Sequence, residues 1–261
     1  ARRQRQMCIR DSITIASPQY VGIANVIDSL IIVKQFVYDE KIVTMQELTA
    51  AVQANWSGFE NLRTLIIKKG DFFGNDTERS NSIAQRFYQS LYEFFKDKTN
   101  LFGYHWLVGD LIGYNPHHQW FGEKTAATPD GRYTGDALKF GLGQSEGKDR
   151  NGLTALLNSI ARVDPNAIGC GSTVTNIMPD GQLIKNDTNF NKTADLLETY
   201  FKNGGVHFQL TYVSREDLLN AKKAPEKYKN LRVRVSGFSD YFVNLNEPLQ
   251  DDIIRRTIQK E

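Results

Sequence analysis

Apolar positions recur at helical spacing through the first hundred residues and then give way to alternating patterns. Over 22–38, Ile23, Val26, Ile27, Leu30 and Ile31 fall at helical spacing and predict a helix. Thr44-Met45-Gln46-Glu47 has the spacing of a capping box and opens a second helix towards Trp56. The pattern repeats over 58–69 with Phe59, Leu62, Leu65 and Ile66, until Gly70 stops it. Asp76 is placed to cap a long helix through Ile83, Phe87, Leu91 and Phe94-Phe95. These helices form one layer without a chemistry-bearing loop, and their aromatic stripe reads as core.

Glycine and proline then become frequent over 101–150, which predicts a long irregular segment of the kind that wraps a functional site. His117-His118 falls in it and reads as loop histidines near the surface. Beyond it the chain alternates. Helices are expected over 151–163 and 188–203, the second ended by Gly204-Gly205, and strands over 171–179 and 206–213. Ser214 caps a short helix with Glu216 and Asp217 in its first turn. A strand over 231–235, a tight turn at 236–239, an extended stretch over 241–245 and a last helix from Pro248 carrying Leu249, Ile253, Ile254 and Ile258 complete the pattern. Strand–helix–strand alternation predicts an α/β fold with parallel pairing.

Composition narrows the class. With 261 residues, 40% hydrophobic and 24% charged, the chain has an ordinary globular make-up, so neither disorder nor a membrane span is expected. A net charge of +2 gives no electrostatic ground for nucleic acid or an anionic membrane surface as partner. Two cysteines, Cys8 and Cys170, are too few for a disulfide framework or a four-ligand zinc site and suit a reducing cytoplasm. Residues 1–12 are basic and aperiodic. Met7-Cys8-Ile9-Arg10-Asp11-Ser12 looks like a translated sequencing adapter, so 1–12 reads as a non-native or disordered leader.

Phosphate-loop and nucleophile-elbow motifs are absent, and Gly141-Leu142-Gly143 lacks the third glycine of a dinucleotide fingerprint. His207 sits on a predicted strand and reads as a satisfied core or barrel-lining residue, and Cys170 as a small buried side chain. The specific signal lies near the C-terminus. Arg234-Val235-Ser236-Gly237-Phe238-Ser239, followed by Asp240-Tyr241-Phe242-Val243, resembles the glycyl radical signature. Blocks in the same order support it: Ala127-Thr128-Pro129-Asp130-Gly131-Arg132, Asn151-Gly152-Leu153-Thr154-Ala155, Gly204-Gly205-Val206-His207-Phe208-Gln209-Leu210 and Pro225-Glu226-Lys227-Tyr228. The chain is thus similar to the C-terminal portion of pyruvate formate-lyase-like glycyl radical enzymes, over nearly everything after residue 20.

The residue types suit that chemistry. A backbone Cα radical flattens, a Cβ would then press on neighbouring peptide groups, and only glycine avoids this cheaply. Taken alone, Gly237 could equally serve a turn that needs φ > 0. The resemblance makes Gly237 the radical site. Arg234, Val235, Ser236, Phe238 and Ser239 then support the loop, Arg234 through its planar donor fork.

The resemblance further implies an α/β half-barrel architecture. Residues 13–125 would belong to the mainly helical C-terminal part of the pyruvate formate-lyase-like domain, and 126–261 to the glycyl radical domain. It implies lyase or dehydratase chemistry on a small molecule, with no permanently bound cofactor or metal. A separate radical S-adenosylmethionine activating enzyme, carrying the iron–sulfur cluster, would generate the radical. It also implies a homodimer as the full-length enzyme and an anaerobic cytoplasm. Neither Cys8 nor Cys170 stands in the family's thiyl-cysteine motif, so that cysteine is expected outside this chain. A non-catalytic radical-bearing subunit that complements a partner holding the cysteine is the alternative, although the helical layer exceeds what a spare loop needs.

Overall fold

The computed structural model describes residues 19–106, 109–110, 117–139, 141–163, 174–179, 187–210, 213–235, 239–255 and 258–259. Helix α1 (Ile23–Ile32) starts at Gly22, whose φ of 85° only glycine adopts cheaply, and whose amide donates to Lys139 O at 2.7 Å. It continues as a π-helical segment, Val33–Asp39, around the buried side chains Gln35 and Phe36. The Gln35 amide is held from outside the helix: Oε1 accepts from Asp71 N at 2.7 Å and Nε2 donates to Glu40 Oε1 at 2.8 Å. Such widened turns follow local contacts rather than helix propensity.

The expected capping box closes at the start of α2 (Met45–Gln53): Glu47 N donates to Thr44 Oγ1 at 3.2 Å and Thr44 N to Glu47 Oε2 at 2.8 Å. Helix α3 (Glu60–Lys69) begins two residues later than its periodicity suggests and ends at Gly70. Helix α4 (Glu78–Phe95) corrects an expectation, because Thr77 and not Asp76 is its N-cap. An N-cap needs an extended backbone, which Thr77 has at φ −91°, whereas Asp76 lies at φ 54°. Asp76 instead receives Asn158 Nδ2 at 3.0 Å and Arg162 Nε at 3.2 Å, tying α4 to α6 (Gly152–Ala161).

The segment over 101–150 is less irregular than its composition implies. It contains α5 (His117–Glu123), so His117 and His118 are helical rather than loop residues, and His118 is buried. Helix α7 (Asp187–Lys202) connects two parallel strands, β3 (Asn176–Pro179) and β4 (Gln209–Leu210). The predicted strand–helix–strand unit is therefore present, although among the described residues β4 covers only two positions. Strand β7 (Ile258–Gln259) pairs parallel on the other side of β3. Ile258 is thus a strand residue, not part of the last helix, which is α9 (Glu247–Arg255). A short parallel pair, β1 (Gln19–Tyr20) with β2 (Gly109–Asp110), lies apart from this sheet. No helix among the described residues is long and apolar enough to cross a membrane.

Three apolar clusters hold these elements. The first joins Ile23, Ile27 and Ile31 of α1 to Ile83 and Tyr88 of α4, Leu156 and Ile160 of α6, Ile177 of β3 and Tyr200 of α7. The second gathers Ile32, Phe36, Leu48, Trp56, Ile66 and Phe72, so α1 feeds both. The third is made only of C-terminal residues: Leu218 and Ala221 of α8 (Arg215–Lys223), Val233 of β5 (Arg232–Arg234), Val235, Phe242, Ile253 and Ile254. Ser214 caps α8 as expected, accepting from Asp217 N at 3.0 Å. The stretch expected to be extended over 241–245 turns instead into a single 3-10 turn, Phe242–Asn244, which buries Phe242 in this third cluster.

Candidate functional site

Strand β5 and strand β6 (Ser239–Tyr241) pair antiparallel, with Arg232 opposite Tyr241, Val233 opposite Asp240 and Arg234 opposite Ser239. In sequence, the stretch between Val235 and Ser239 joins the two strands. Ser236, Gly237 and Phe238 form that stretch and lie outside the described residues, as do Cys8 and Cys170. Of the residues expected to support it, Arg234, Val235 and Ser239 are described. Side chains alternate along the strand. Val233 and Val235 point into the third apolar cluster, and Arg234 points the other way. Its NH1 donates to Ser239 Oγ at 3.3 Å across the hairpin, and its Nε donates to Gln209 Oε1 of β4 at 3.2 Å. One guanidinium thus touches both hairpin strands and the neighbouring parallel sheet, the use to which a rigid donor fork is suited.

Gln209 is fixed by the sheet. Its backbone N donates to Thr175 O at 2.8 Å, and it pairs with Asn176 of β3. His207, two residues earlier, packs beside it, with the two Nε2 atoms 3.3 Å apart. The imidazole Nδ1 accepts from Thr175 N at 3.2 Å, which requires that nitrogen to be unprotonated. Burial, and then the charge of Arg234, hold His207 below the usual imidazole range, consistent with a neutral ring. The His207 carbonyl accepts from Tyr200 OH at 2.9 Å, and burial pushes that phenol up. His207 is thus a half-buried residue of the sheet's edge whose Nδ1 is satisfied by Thr175 N.

The Gly204-Gly205 turn brings Tyr200 and His207 together. A Cβ at Gly205 would overlap the Tyr200 ring. Gly205→Ala is therefore expected to push the ring off His207 and destabilise the fold by about 1–3 kcal/mol, the usual cost of overpacking. A thermal melt checks this, and an unchanged midpoint would show that the ring has room to move.

A second polar constellation was not legible in the sequence. Asn25 and Asp28 of α1 meet Asp130, Ser145 and Lys148 from the irregular segment in a buried cluster. Lys148 Nζ lies 2.5 Å from Asp130 Oδ2 and 3.9 Å from Asp28 Oδ2. Ser145 Oγ donates to Asp28 Oδ2 at 2.6 Å, and Asn25 Nδ2 to Asp130 Oδ2 at 3.2 Å. Burial, only partly offset by Lys148, pushes Asp28 up to about 6. Burial acts the same way on Asp130, but the charge and hydrogen bond of Lys148, with Thr128 and Asn25, outweigh it and hold that carboxyl below its ordinary range. The cluster borders a cleft of about 260 Å³ that Arg63, Arg132 and Lys139 also line. Asn25 and Asp28, three apart in a helix whose only other polar residue is Ser29, were the one local sign of it. Among the described residues no group of three His, Cys, Asp or Glu side chains could hold a metal ion.

Comparison with known proteins places the hairpin in context. A glycine radical family model matches residues 138–243 and a pyruvate formate lyase-like model matches 4–109. The chain is 34% identical over 241 residues to trans-4-hydroxy-L-proline dehydratase of Clostridioides difficile, covering 92% of this chain and 30% of that protein. It is 31% identical over 252 residues to isethionate sulfite-lyase of Oleidesulfovibrio alaskensis, covering 95% of this chain and 30% of that one. The chain therefore spans about 30% of the length of these curated relatives. Among solved structures, the glycerol-bound B12-independent glycerol dehydratase of Clostridium butyricum superposes with a TM-score of 0.87 at 33% identity, covering 95% of this chain and 31% of that one. With two family models spread over most of its length and a hairpin that brackets the glycine motif, the chain belongs to the glycyl radical enzyme family.

Proposed function

We propose that this chain is the radical-bearing C-terminal portion of a glycyl radical lyase or dehydratase, with Gly237 as the residue that stores the radical. The observation that carries the reading is the β5–β6 hairpin: Arg234 and Ser239 form its last pair across the strands, and the three residues between Val235 and Ser239 include Gly237. A separate radical S-adenosylmethionine enzyme with its iron–sulfur cluster removes one hydrogen atom from the Gly237 Cα. The glycyl radical then takes a hydrogen atom from a cysteine thiol, which restores glycine and leaves a thiyl. That thiyl abstracts hydrogen from a small-molecule substrate and so initiates C–C or C–X cleavage. Neither Cys8 nor Cys170 matches the thiyl motif, so the cysteine is supplied by polypeptide beyond this chain, and the full-length enzyme is a cytoplasmic homodimer. The four-helix layer α1 to α4 supports a portion of an enzyme over a subunit that only lends a loop.

The test is EPR of the chain after anaerobic incubation with such an activating enzyme and S-adenosylmethionine. The single hydrogen left on a glycyl Cα splits the line into a doublet. Its appearance supports the reading, and a silent spectrum from folded chain with an activator shown to work on its own partner overturns it.

A further inference from the structure

Two arginines line the cleft beside the Asp28, Asp130 and Lys148 cluster, and neither forms an ion pair among the described residues. Arg132 is only 7% exposed. Its terminal nitrogens are spent on main-chain carbonyls, NH1 on Asp136 O at 2.6 Å and NH2 on Thr125 O at 3.1 Å and on Ala126 O. Its Nε–H is buried and meets no acceptor among the described residues. Burial outweighs the charges of Asp130 and Asp136 and holds Arg132 below the ordinary arginine range, so this guanidinium is short of negative charge. A buried donor in that state calls for an acceptor supplied by a ligand or by water. Arg63 of α3 is the second arginine. Its Nε donates to Gly131 O at 2.8 Å, and its Cζ lies 4.0 Å from the centre of the Tyr133 ring. Those two contacts fix the plane of the fork and leave NH1 and NH2 with no acceptor among the described residues.

The carboxylates around the cleft are engaged elsewhere. Asp130 is paired with Lys148, Glu146 with Lys139 at 3.3 Å, and Asp136 Oδ2 accepts from Tyr133 N at 3.1 Å. We propose that this cleft, between α3 and the 130–148 segment, is a binding site for a small organic acid, whose carboxylate is taken by Arg63 and Arg132. The lining sets the class of ligand. A guanidinium presents N–H donors in a planar fork that matches a carboxylate. Ile67, Ala137 and Leu138 add half-buried apolar wall for a short carbon stem. A volume of about 260 Å³ admits an acid of a few carbons and falls below the range of sites that hold drug-sized molecules. Both arginines are held before any ligand arrives, Arg63 by its stack on Tyr133 and the Arg132 backbone by Trp56 Nε1, which donates to Arg132 O at 3.2 Å. Little ordering is then left for binding to drive. Gly237 plays no part in this site.

A ligand that binds only the folded chain raises its melting midpoint in step with concentration. The 261-residue chain is titrated with sodium butyrate at an ionic strength held constant with chloride, and saturation-transfer NMR of butyrate is read alongside the midpoint. A saturable rise is expected, half-complete at on the order of millimolar, the range open to so small a ligand. Butyramide, which has the stem without the charge, should give none, and acetate, which has the charge without the stem, should bind several-fold more weakly. Arg63→Gln keeps an amide donor but removes fork and charge, and should weaken butyrate about tenfold, the worth of one charge-assisted hydrogen bond. Arg63→Lys keeps the charge without the fork and should fall between. Each variant is compared with its own ligand-free midpoint, so a loss of basal stability does not imitate a loss of binding. No saturable effect in the parent, or an equal effect in Arg63→Gln, overturns the site. Should Arg63→Gln fail to fold, an Arg63→Lys chain that binds butyrate as tightly as the parent overturns it instead. Butyramide or inorganic phosphate acting as strongly as butyrate overturns the assignment to an organic acid.

Discussion

Gly237→Ala is expected to abolish the EPR doublet while leaving the fold intact. A tetrahedral Cα that loses hydrogen relaxes to a plane shared with both adjacent peptide groups, and delocalisation over them is what makes the radical persist. Glycine has only hydrogens to move. Alanine must swing a methyl into that plane, against the flanking carbonyl and amide. Arg234 and Ser239, five residues apart, pair across the strands on either side of this position in the sequence. Should a radical form on alanine, its three β-hydrogens would split the line into more than two components, so the spectrum separates three outcomes: doublet, silence and multiplet. Oxygen gives an independent readout, since it cleaves the backbone at a glycyl radical. Air admitted to activated parent chain should release a short C-terminal piece starting near residue 237, and Gly237→Ala should stay whole on a denaturing gel. The described stem pairs and the described members of the third apolar cluster are unchanged in the variant, so the melting midpoint is expected to hold. A doublet of undiminished intensity from the folded variant would place the radical elsewhere.

The elements visible in the sequence are those whose cause is local. Periods of 3.6 marked α1 to α4, and the caps at Thr44 and Ser214 stood where their side chains could reach the third amide onward. Asp76 shows the limit. Its residue type suits a cap as well as that of Thr77 does, and only a contact more than eighty residues away, with Asn158 and Arg162, takes it out of the extended backbone a cap requires. The π-helical segment is hidden for the same reason, since Gln35 is engaged by the Asp71 amide. Ile258 carries an apolar side chain that fits either a helix face or a strand, and its pairing with Met178 decides the matter.

The site divides along the same line. A glycine that needs its missing Cβ, with an arginine and a serine on either side, is a short motif and can be read directly. The hydrogen bond from Arg234 to Gln209 cannot: the two are 25 residues apart, and nothing in either neighbourhood announces the other. His207 reads from the sequence as a core or barrel-lining residue, and its Nδ1 does accept from Thr175 N, but the burial and then the Arg234 charge that lower its pKa come from how distant elements pack around it.

The buried cluster around Lys148 should give the largest loss of stability in the chain. Asp130→Ala removes a carboxylate bonded to Lys148 at 2.5 Å in a buried site. The ammonium then keeps the main-chain carbonyl of residue 130, at 2.8 Å, and Asp28, 3.9 Å away, but no carboxylate at hydrogen-bond distance, and Asn25 and Thr128 lose their acceptor. Breaking one side of a buried ion pair costs about 3–5 kcal/mol, which for a chain of this size lowers the melting midpoint by on the order of 10 °C. Lys148→Met should cost a similar amount at neutral pH, but with a different pH dependence. In the parent, burial leaves Asp28 up near 6, so its contribution is full below its ordinary value of 3.8 and is lost as pH rises towards 6. Asp130 runs the other way, because Lys148 holds it low, and its contribution is lost as pH falls through that depressed value. Without Lys148 the burial of both carboxylates is unopposed and each faces the other's charge, so both shift upward. Acid can then neutralise them, and alkali cannot. The midpoint gap between parent and Lys148→Met should therefore be smaller at pH 5 than at pH 8. The double variant Asp130→Leu with Lys148→Met should recover much of the loss, because the remaining carboxylate no longer has a like charge beside it and the site gains apolar volume. Equal gaps at both pH values, or additive losses in the double variant, would mean that the cluster is hydrated and does not work as a buried ion pair holding the 124–150 segment against α1.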